Sequence, residues 1–552
     1  MTVEDPGPAT VGLDDPAFPV DFDDPADGEL AWEWDDMHMP FAVTPLSGDF
    51  VRVVGSGFDD PNIRYSDVGF GVFPQRWHCA VWNGYCYFAI RRNFPPEERP
   101  VVMERYTAMA RSRIEATDTY WREELLPELH RLYDRIESVP VEAGSGDEVA
   151  AGWEAAWEAA ERAWAIHFDA ILGPYQVMDD LADAYEVANP GAPPGEALRL
   201  AQGGHHELLD VELGAEQLAA LATASPAVAD ALRAGVRSIE ALAALPGGRE
   251  FVAALEPFLR RHGHLGQSVD DLALASWGEE PGNFLAELAK RLVHTPEPAE
   301  ERRARLEREA DELADAARAR LADRPDDLAT FEHALRYARS IGFLTEVHNY
   351  WIDRKSQARI RSLAMRVGQR LASEGVIAQA ADVLYLHRGE IAALLRHPVD
   401  RRALIDERRA EHARQERITP PRYIGKPPPA PIAVDRFDGA RFDSTEADVL
   451  RGTGASSGIV RGPARVVLTS VEFDRIMPGD IIVCPSSNPS WVPVFTIAGG
   501  LVTNTGGVLS HAAVVAREFG LPAVVGVANA TITIRDGQQL EIDGVAGTVR
   551  LL

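Results

Sequence analysis

The sequence predicts a multidomain α+β chain: a mainly helical domain with a small β-hairpin part, then a proline-rich linker, then a C-terminal domain of short strands. Three observations predict it. From about Val101 to Leu395 apolar residues recur at helical spacing. Ahead of that run, residues 77–90 alternate about Asn83-Gly84, the dipeptide that favours a type I′ hairpin turn. Behind it, Thr419–Pro431 holds six prolines in thirteen residues, and short apolar runs between Gly and Pro turns fill 450–552. The boundaries expected are a tail at 1–30, the helical domain at 31–415, the linker at 416–440 and the C-terminal domain at 441–552.

Composition narrows the function classes. The 552 residues suffice for two to four domains, and the net charge of −30 argues against nucleic acid or an anionic membrane as partner. Residues 1–31 carry nine acids and no Lys or Arg, which reads as a disordered acidic tail. Three cysteines imply no disulfide framework, so a cytoplasmic location is expected. The apolar run around Val492–Val502 is too short to span a bilayer, which takes about 20 residues.

In the hairpin, a two-residue loop sets Trp82 opposite Tyr85 and Ala80 opposite Tyr87. His78, Ala80, Trp82, Tyr85, Tyr87 and Ala89 then share one face, which packs on a helix or walls an aromatic pocket. The opposite face, with Cys79, Val81, Cys86 and Phe88, reads as core. No further thiol or histidine stands at ligand spacing from Cys79 and Cys86, and no metal site is predicted.

In the helical region Trp153, Trp157 and Trp164 form a packing stripe, with His167 following as a structural residue. Glu346, Tyr350, Asp353 and Gln357 fall at i, i+4, i+7 and i+11, one helical face beside Val347, Trp351 and Ile352. Such a stripe lines a cleft or faces solvent. Phosphorylating a hydroxyl needs a base within hydrogen-bond reach, and Glu346 or His348 is the candidate.

The chemistry concentrates in residues 503–522. Ala498–Thr503 reads as a buried strand, Gly506-Gly507 as a tight turn, Ser510 as a helix N-cap, and Gly520 with Pro522 as the helix stop. His511 then stands on the first turn of a short helix, where free N–H groups and the helix dipole favour an anion. A histidine there is placed to carry a phosphoryl group on nitrogen. Arg517, six residues on, neutralises that group or pairs with a neighbouring acid.

From Gly452–Gly458 through Gly479-Asp480 and the His511 stretch to Asp536-Gly537 and Asp543-Gly544, this region resembles the phosphohistidine (mobile, swivelling) domain of the PEP-utilising enzymes. That family includes pyruvate phosphate dikinase, phosphoenolpyruvate synthase, rifampicin phosphotransferase and phenylphosphate synthase. The resemblance implies a swivelling β/β/α domain in which His511 becomes phosphohistidine, with Gly506, Gly507, Ser510 and Arg517 around the phosphoryl group. Leu509 stands where the dikinases carry a threonine, which points to the branch that phosphorylates small molecules.

Trp32–Leu46 resembles the opening of the substrate domain in the phenylphosphate synthase branch, which implies a substrate role for His38. With Trp82, Tyr85, Tyr350 and Asp353 it makes up the expected substrate-binding set. Phe258–Leu272 and Thr345–Arg359 resemble family stretches in part: Leu265 and Thr345 replace arginines, and Ser268-Val269 replaces an acid. The only Gly-Lys, at Gly425-Lys426, runs into Pro427, so no P-loop is present. The resemblance therefore implies ATP and Mg²⁺ bound by a separate ATP-grasp subunit, and a phenolic acceptor such as phenol or 4-cresol, as in the phenylphosphate and 4-cresol (4-methylphenyl phosphate) synthases, with AMP and phosphate as by-products. A split rifampicin-type phosphotransferase, a phosphocarrier protein and a silent scaffold are the rival readings.

Overall fold

The computed structural model describes residues 10–11, 18–22, 24–35, 39, 41–57, 75–92, 96–193, 195–266, 271–293, 297–425, 448–468, 470–487, 491–508 and 510–552. The chain is mixed α+β, with two sheets and a large helical body between them in sequence.

The first sheet contains β1 (Thr10–Val11), β2 (Ala31–Trp34), β3 (Gln75–Trp82), β4 (Tyr85–Arg92) and β5 (Tyr423–Gly425), ordered β1-β5-β2-β4-β3. The hairpin forms in the expected register, with Trp82 opposite Tyr85 and Ala80 opposite Tyr87. Asn83 and Gly84 take φ of 51° and 80°, the left-handed pair a type I′ turn requires. A Cβ on Gly84 would stand 2.7 Å from Gln415 Oε1.

Both hairpin faces are covered. Tyr85, Tyr87 and Ala89 pack with Phe18, Trp32, Ala42 and Ile424. Cys86 packs with Met39, Val43 and Val51 on the other side. Two boundaries move as a result. Within the stretch expected as a disordered tail, Phe18 is buried, Thr10-Val11 pairs with β5, and Pro25–Glu29 is a short 3₁₀ helix. Within the stretch expected as linker, Tyr423–Gly425 is a sheet strand with Ile424 fully buried. In both places apolar residues outweigh the acids or prolines around them, because they complete the hairpin's core. Residues 426–440 of the expected linker lie outside the described residues.

The helical body is built on Gly146–Ala188, 43 residues and about 65 Å long at 1.5 Å per residue. A capping box starts it: Ser145 Oγ accepts from Glu148 N–H, and Ser145 N–H donates to the Glu148 carboxylate. Trp153 and Trp157 are fully buried at its centre, as the stripe predicted. A second cluster, around Phe251, Leu255, Phe258, Trp277 and Phe284, joins helices Glu207–Ala224, Gly248–His262 and Pro281–Arg291. Leu344–His348 runs into Arg354–Ser373 through a π turn at Asn349–Asp353.

The second sheet contains β6 (Val449–Arg451), β7 (Thr453–Ser456), β8 (Ile459–Val466), β9 (Ile481–Cys484), β10 (Gly500–Thr503), β11 (Ala523–Val525), β12 (Gln539–Asp543) and β13 (Thr548–Leu551). Its order is β6-β13-β12-β8-β9-β10-β11-β7, parallel across β8-β9-β10-β11 and antiparallel at both ends. Alternation decides its faces. Ile482 and Cys484 turn toward helix His511–Glu518, while Ile481 and Val483 join Val502, Val524 and Ile542 beneath. A sheet covered on both sides is the physical reason these strands read as short apolar runs.

Candidate active site

His511 opens helix His511–Glu518 directly after β10. The turn between them is pinned by its own polar groups. Thr503 Oγ1 donates to Thr505 O at 2.7 Å, Thr505 N–H donates to Pro485 O at 3.1 Å, and Asn504 Nδ2 donates to Thr531 Oγ1 at 2.8 Å. Gly506 takes φ +111°, and a Cβ there would stand 2.7 Å from Ser510 Oγ. Ser510 holds the N-cap position, but its hydroxyl donates to Gly507 O at 2.8 Å and does not cap the helix as expected. The hydroxyl thus closes the glycine turn and leaves the first helical N–H groups without a side-chain partner.

The imidazole faces the helical body. His511 Nδ1 lies 2.5 Å from Glu346 Oε2, with the two side chains 11% and 8% exposed. Its Nε2 is buried with no hydrogen-bond partner among the described residues. In the neutral ring, with Nδ1–H donated to the carboxylate, the lone pair is on Nε2. That nitrogen, aimed away from its orienting acid, is the ring's nucleophile.

The two domains meet around this pair. Val508 packs into the helical body's core. Arg302 Nε donates to Glu518 O at 3.1 Å, its guanidinium lies 4.7 Å over the Phe519 ring, and it is ion-paired to Glu212. Lys290 Nζ donates to Phe473 O. A Cβ on Gly195 would stand 3.3 Å from Gly454 O, so the backbones approach closely.

Three further groups share the electrostatics of Glu346. Burial pushes the His206 imidazole down to about 4, against the pull of Glu346, and its Nδ1 has no partner. Burial lowers Arg517 to about 10, with Glu518 and Glu346 opposing. Burial raises Glu518 to about 7, against Arg517 and Arg302. Arg517 is buried, its Nη1 donates to Ala455 O at 3.1 Å and so braces β7, and its charge is felt by Glu346.

The residues expected on one helical face separate. The π turn adds a residue per turn and rotates the positions after it. Glu346 meets His511, and Gln357 Nε2 donates to Asp271 O at 2.6 Å. Tyr350 Oη donates to Arg261 O and lies 2.9 Å from His262 Nδ1. Asp353 Oδ1 sits 2.7 Å from His167 Nδ1. His348 is buried beside them, its Nδ1–H donating to Leu344 O at 2.6 Å, and burial pushes it down to about 4. With Nδ1–H committed to a backbone carbonyl, His348 keeps a free Nε2, while Glu346 is the residue that touches His511.

Trp82 and Tyr85 belong to the N-terminal sheet: Trp82 Nε1 donates to Asp21 O at 2.8 Å and Tyr85 Oη to Ile418 O at 2.7 Å. Both side chains pack on this face with residues 18–22 and 415–418. His38 and Leu509 lie outside the described residues. Sequence reasoning missed His206 and Arg302. The only signal for His206 is the polar Gly203–His206 run before a helix, and Arg302 is one of many arginines on its helix.

Residues 476–547 match the family model described as PEP-utilising enzyme, mobile domain, and residues 174–346 match rifampicin phosphotransferase fourth domain. The second match ends on Glu346. Chondramide synthase cmdD of Chondromyces crocatus is 29% identical over 97% of this chain, which covers 14% of that protein. The rifampicin phosphotransferase of Streptomyces sviceus is 35% identical over 57% of this chain and 36% of its own length. An uncharacterized phosphotransferase YvkC of Bacillus subtilis is 30% identical over 55% of this chain and 37% of its own length. The chain thus spans well under half the length of the curated relatives it matches. No helix among the described residues is long and apolar enough to cross a membrane. Residues 476–547 are thus similar to the mobile domain of the PEP-utilising enzymes, and residues 174–346 to the fourth domain of rifampicin phosphotransferase.

Proposed function

We propose that this chain is a phosphotransferase that carries a phosphoryl group on His511 Nε2 and delivers it to the hydroxyl of a small aromatic acceptor held by the helical body. One observation carries the reading: Glu346 occupies His511 Nδ1 and leaves Nε2 buried and, among the described residues, unpartnered. The relatives named as phosphotransferases support it.

In loading, Nε2 attacks the phosphorus of the donor, the donor's P–O bond breaks, and a phosphoramidate forms. In delivery, the acceptor oxygen attacks phosphorus, the N–P bond breaks, and its electron pair returns to Nε2. The acceptor proton goes to water on the acceptor's side of phosphorus, because Glu346 holds Nδ1 on the opposite edge of the ring. A phenol, with a pKa near that of Tyr at about 10, releases that proton more readily than an alcohol. The donor is ATP, cleaved with Mg²⁺ on an ATP-grasp unit carried by a separate subunit, and the products are an aryl phosphate, AMP and phosphate. Phenol and 4-cresol are the acceptors first in line. The reaction takes place in the cytoplasm.

A second reading has its own support. The match to rifampicin phosphotransferase fourth domain over 174–346 favours a larger antibiotic acceptor with the same carrier chemistry. An acceptor panel of phenol, 4-cresol and rifampicin decides between them, using protein labelled on His511 with [³²P]phosphoramidate, a donor that needs no partner. Transfer of label to either class supports phosphotransfer and names the acceptor. If His511→Asn passes label to the acceptor as fast as the native protein, the carrier role fails.

A further inference from the structure

Three side chains that the phosphotransfer reading does not use converge beside the Glu346 helix. His167 comes from the long helix Gly146–Ala188, His348 ends helix Leu344–His348, and Asp353 ends the π turn. One donor atom from each lies within 4.8 Å of the other two. His167 Nδ1 is 2.7 Å from Asp353 Oδ1, and the two imidazoles meet edge to face with centroids 4.5 Å apart.

The backbone goes out of its way to build this cluster. His348 and Asp353 are five residues apart. At about 100° per residue an α-helix would set them about 140° apart, on different faces. The π turn at Asn349–Asp353 closes with i→i+5 hydrogen bonds and brings the fifth residue over the first. Such turns cost regular hydrogen bonding and recur where a side chain must be re-aimed. Here the result is that Asp353 and His348 both address His167.

We propose that His167, His348 and Asp353 form a binding site for one divalent first-row transition cation, Zn²⁺ foremost. Two imidazoles and a carboxylate are the donor set such ions take, with a further position left for water or a substrate oxygen. The second sphere is in place: His348 Nδ1–H donates to Leu344 O, which fixes the ring and frees Nε2 as a donor. Donors about 2.1 Å from a shared ion in a tetrahedral array lie about 3.4 Å apart. The His167–Asp353 pair, 2.7 Å apart around a shared proton, needs to open by only about 0.7 Å for a cation to take that proton's place. The expectation of no metal site is thereby revised. His167 and His348 are 181 residues apart in sequence, and no local spacing links them.

The site stands one helical turn beyond Glu346 and would hold that residue's helix against Gly146–Ala188. Cation binding itself does not depend on the phosphotransfer reading.

The test uses the full chain, stripped of metal by a chelator and titrated with Zn²⁺ and Co²⁺. One ion per chain is expected, with visible cobalt absorption of a low-coordinate site and no competition from millimolar Mg²⁺. His167→Ala and Asp353→Asn should each weaken binding by more than about 100-fold, beyond the roughly 10–100-fold typical of second-sphere changes. His511→Asn should bind normally, which separates this site from the carrier histidine. Because a buried variant can unfold, X-ray absorption at the zinc edge of the native protein provides a second readout, with imidazole scattering expected. Substoichiometric uptake by the native chain, an all-oxygen shell, or unchanged affinity in folded His167→Ala and Asp353→Asn would overturn the proposal.

Discussion

Replacing Glu346 by Gln probes the pair on which the account rests. The 2.5 Å contact joins two side chains about nine-tenths buried, so it is a charge-assisted hydrogen bond sheltered from water. Hydrogen bonds to charged groups contribute about 1.5–3 kcal/mol. At 1.36 kcal/mol per decade, losing the charge should slow loading of His511 by phosphoramidate about 10–150-fold. A Gln can accept from Nδ1–H or, flipped, donate to a bare Nδ1. The tautomer is then no longer fixed, and label should spread between Nδ1 and Nε2. Delivery should slow by a comparable factor, because the same hydrogen bond orients the phosphorylated ring. Rapid-quench labelling measures the first rate, and chase with phenol measures the second. Glu346→Gln loading and delivering at native rates, with label still confined to Nε2, would refute the reasoning.

Other perturbations probe the domain contact, the core and the pH response. Arg302→Ala leaves buried Glu212 without its ion-pair partner and removes the contacts to Glu518 O and Phe519. The helical body should lose about 3–5 kcal/mol of stability in urea unfolding, and the C-terminal domain should dock less tightly, seen as expansion in small-angle scattering and faster proteolysis between the domains. Trp157→Ala should cost about 3–5 kcal/mol in urea unfolding, because the side chain is fully buried. Trp157→Phe should cost far less, since the indole N–H has no partner to lose. His262 is held by burial at about 4, below its ordinary value of about 6.5. Its neutral form is favoured on folding, so stability is complete above pH 6.5 and falls as pH drops toward 4. Between pH 6.5 and 5 that loss is about 2 kcal/mol, and His262→Gln should flatten the slope of melting temperature against pH.

Much of the architecture could be read from local rules. The hairpin register followed from Asn83-Gly84, and the tryptophan stripe from helical periodicity, because both depend on neighbours in sequence. His511 at a helix start after a glycine turn was legible for the same reason. The features that stayed hidden depend on distant partners. Ile424 and Phe18 complete a core whose other half is the hairpin, so composition alone read them as linker and tail. Trp82 and Tyr85 pack with residues 18–22 and 415–418, partners that local sequence does not announce. The π turn breaks the i, i+4, i+7 logic that put Tyr350 and Asp353 with Glu346, and no propensity in Asn349–Asp353 announces it.

The most direct measurement is ³¹P NMR of the full chain after reaction with phosphoramidate, with peptide mapping to locate the label. The account predicts a phosphoryl group on Nε2 of His511, absent from His511→Asn. A label on Nδ1 of His511, or a labelling pattern in which His511 stays unmodified while other histidines react, would contradict it.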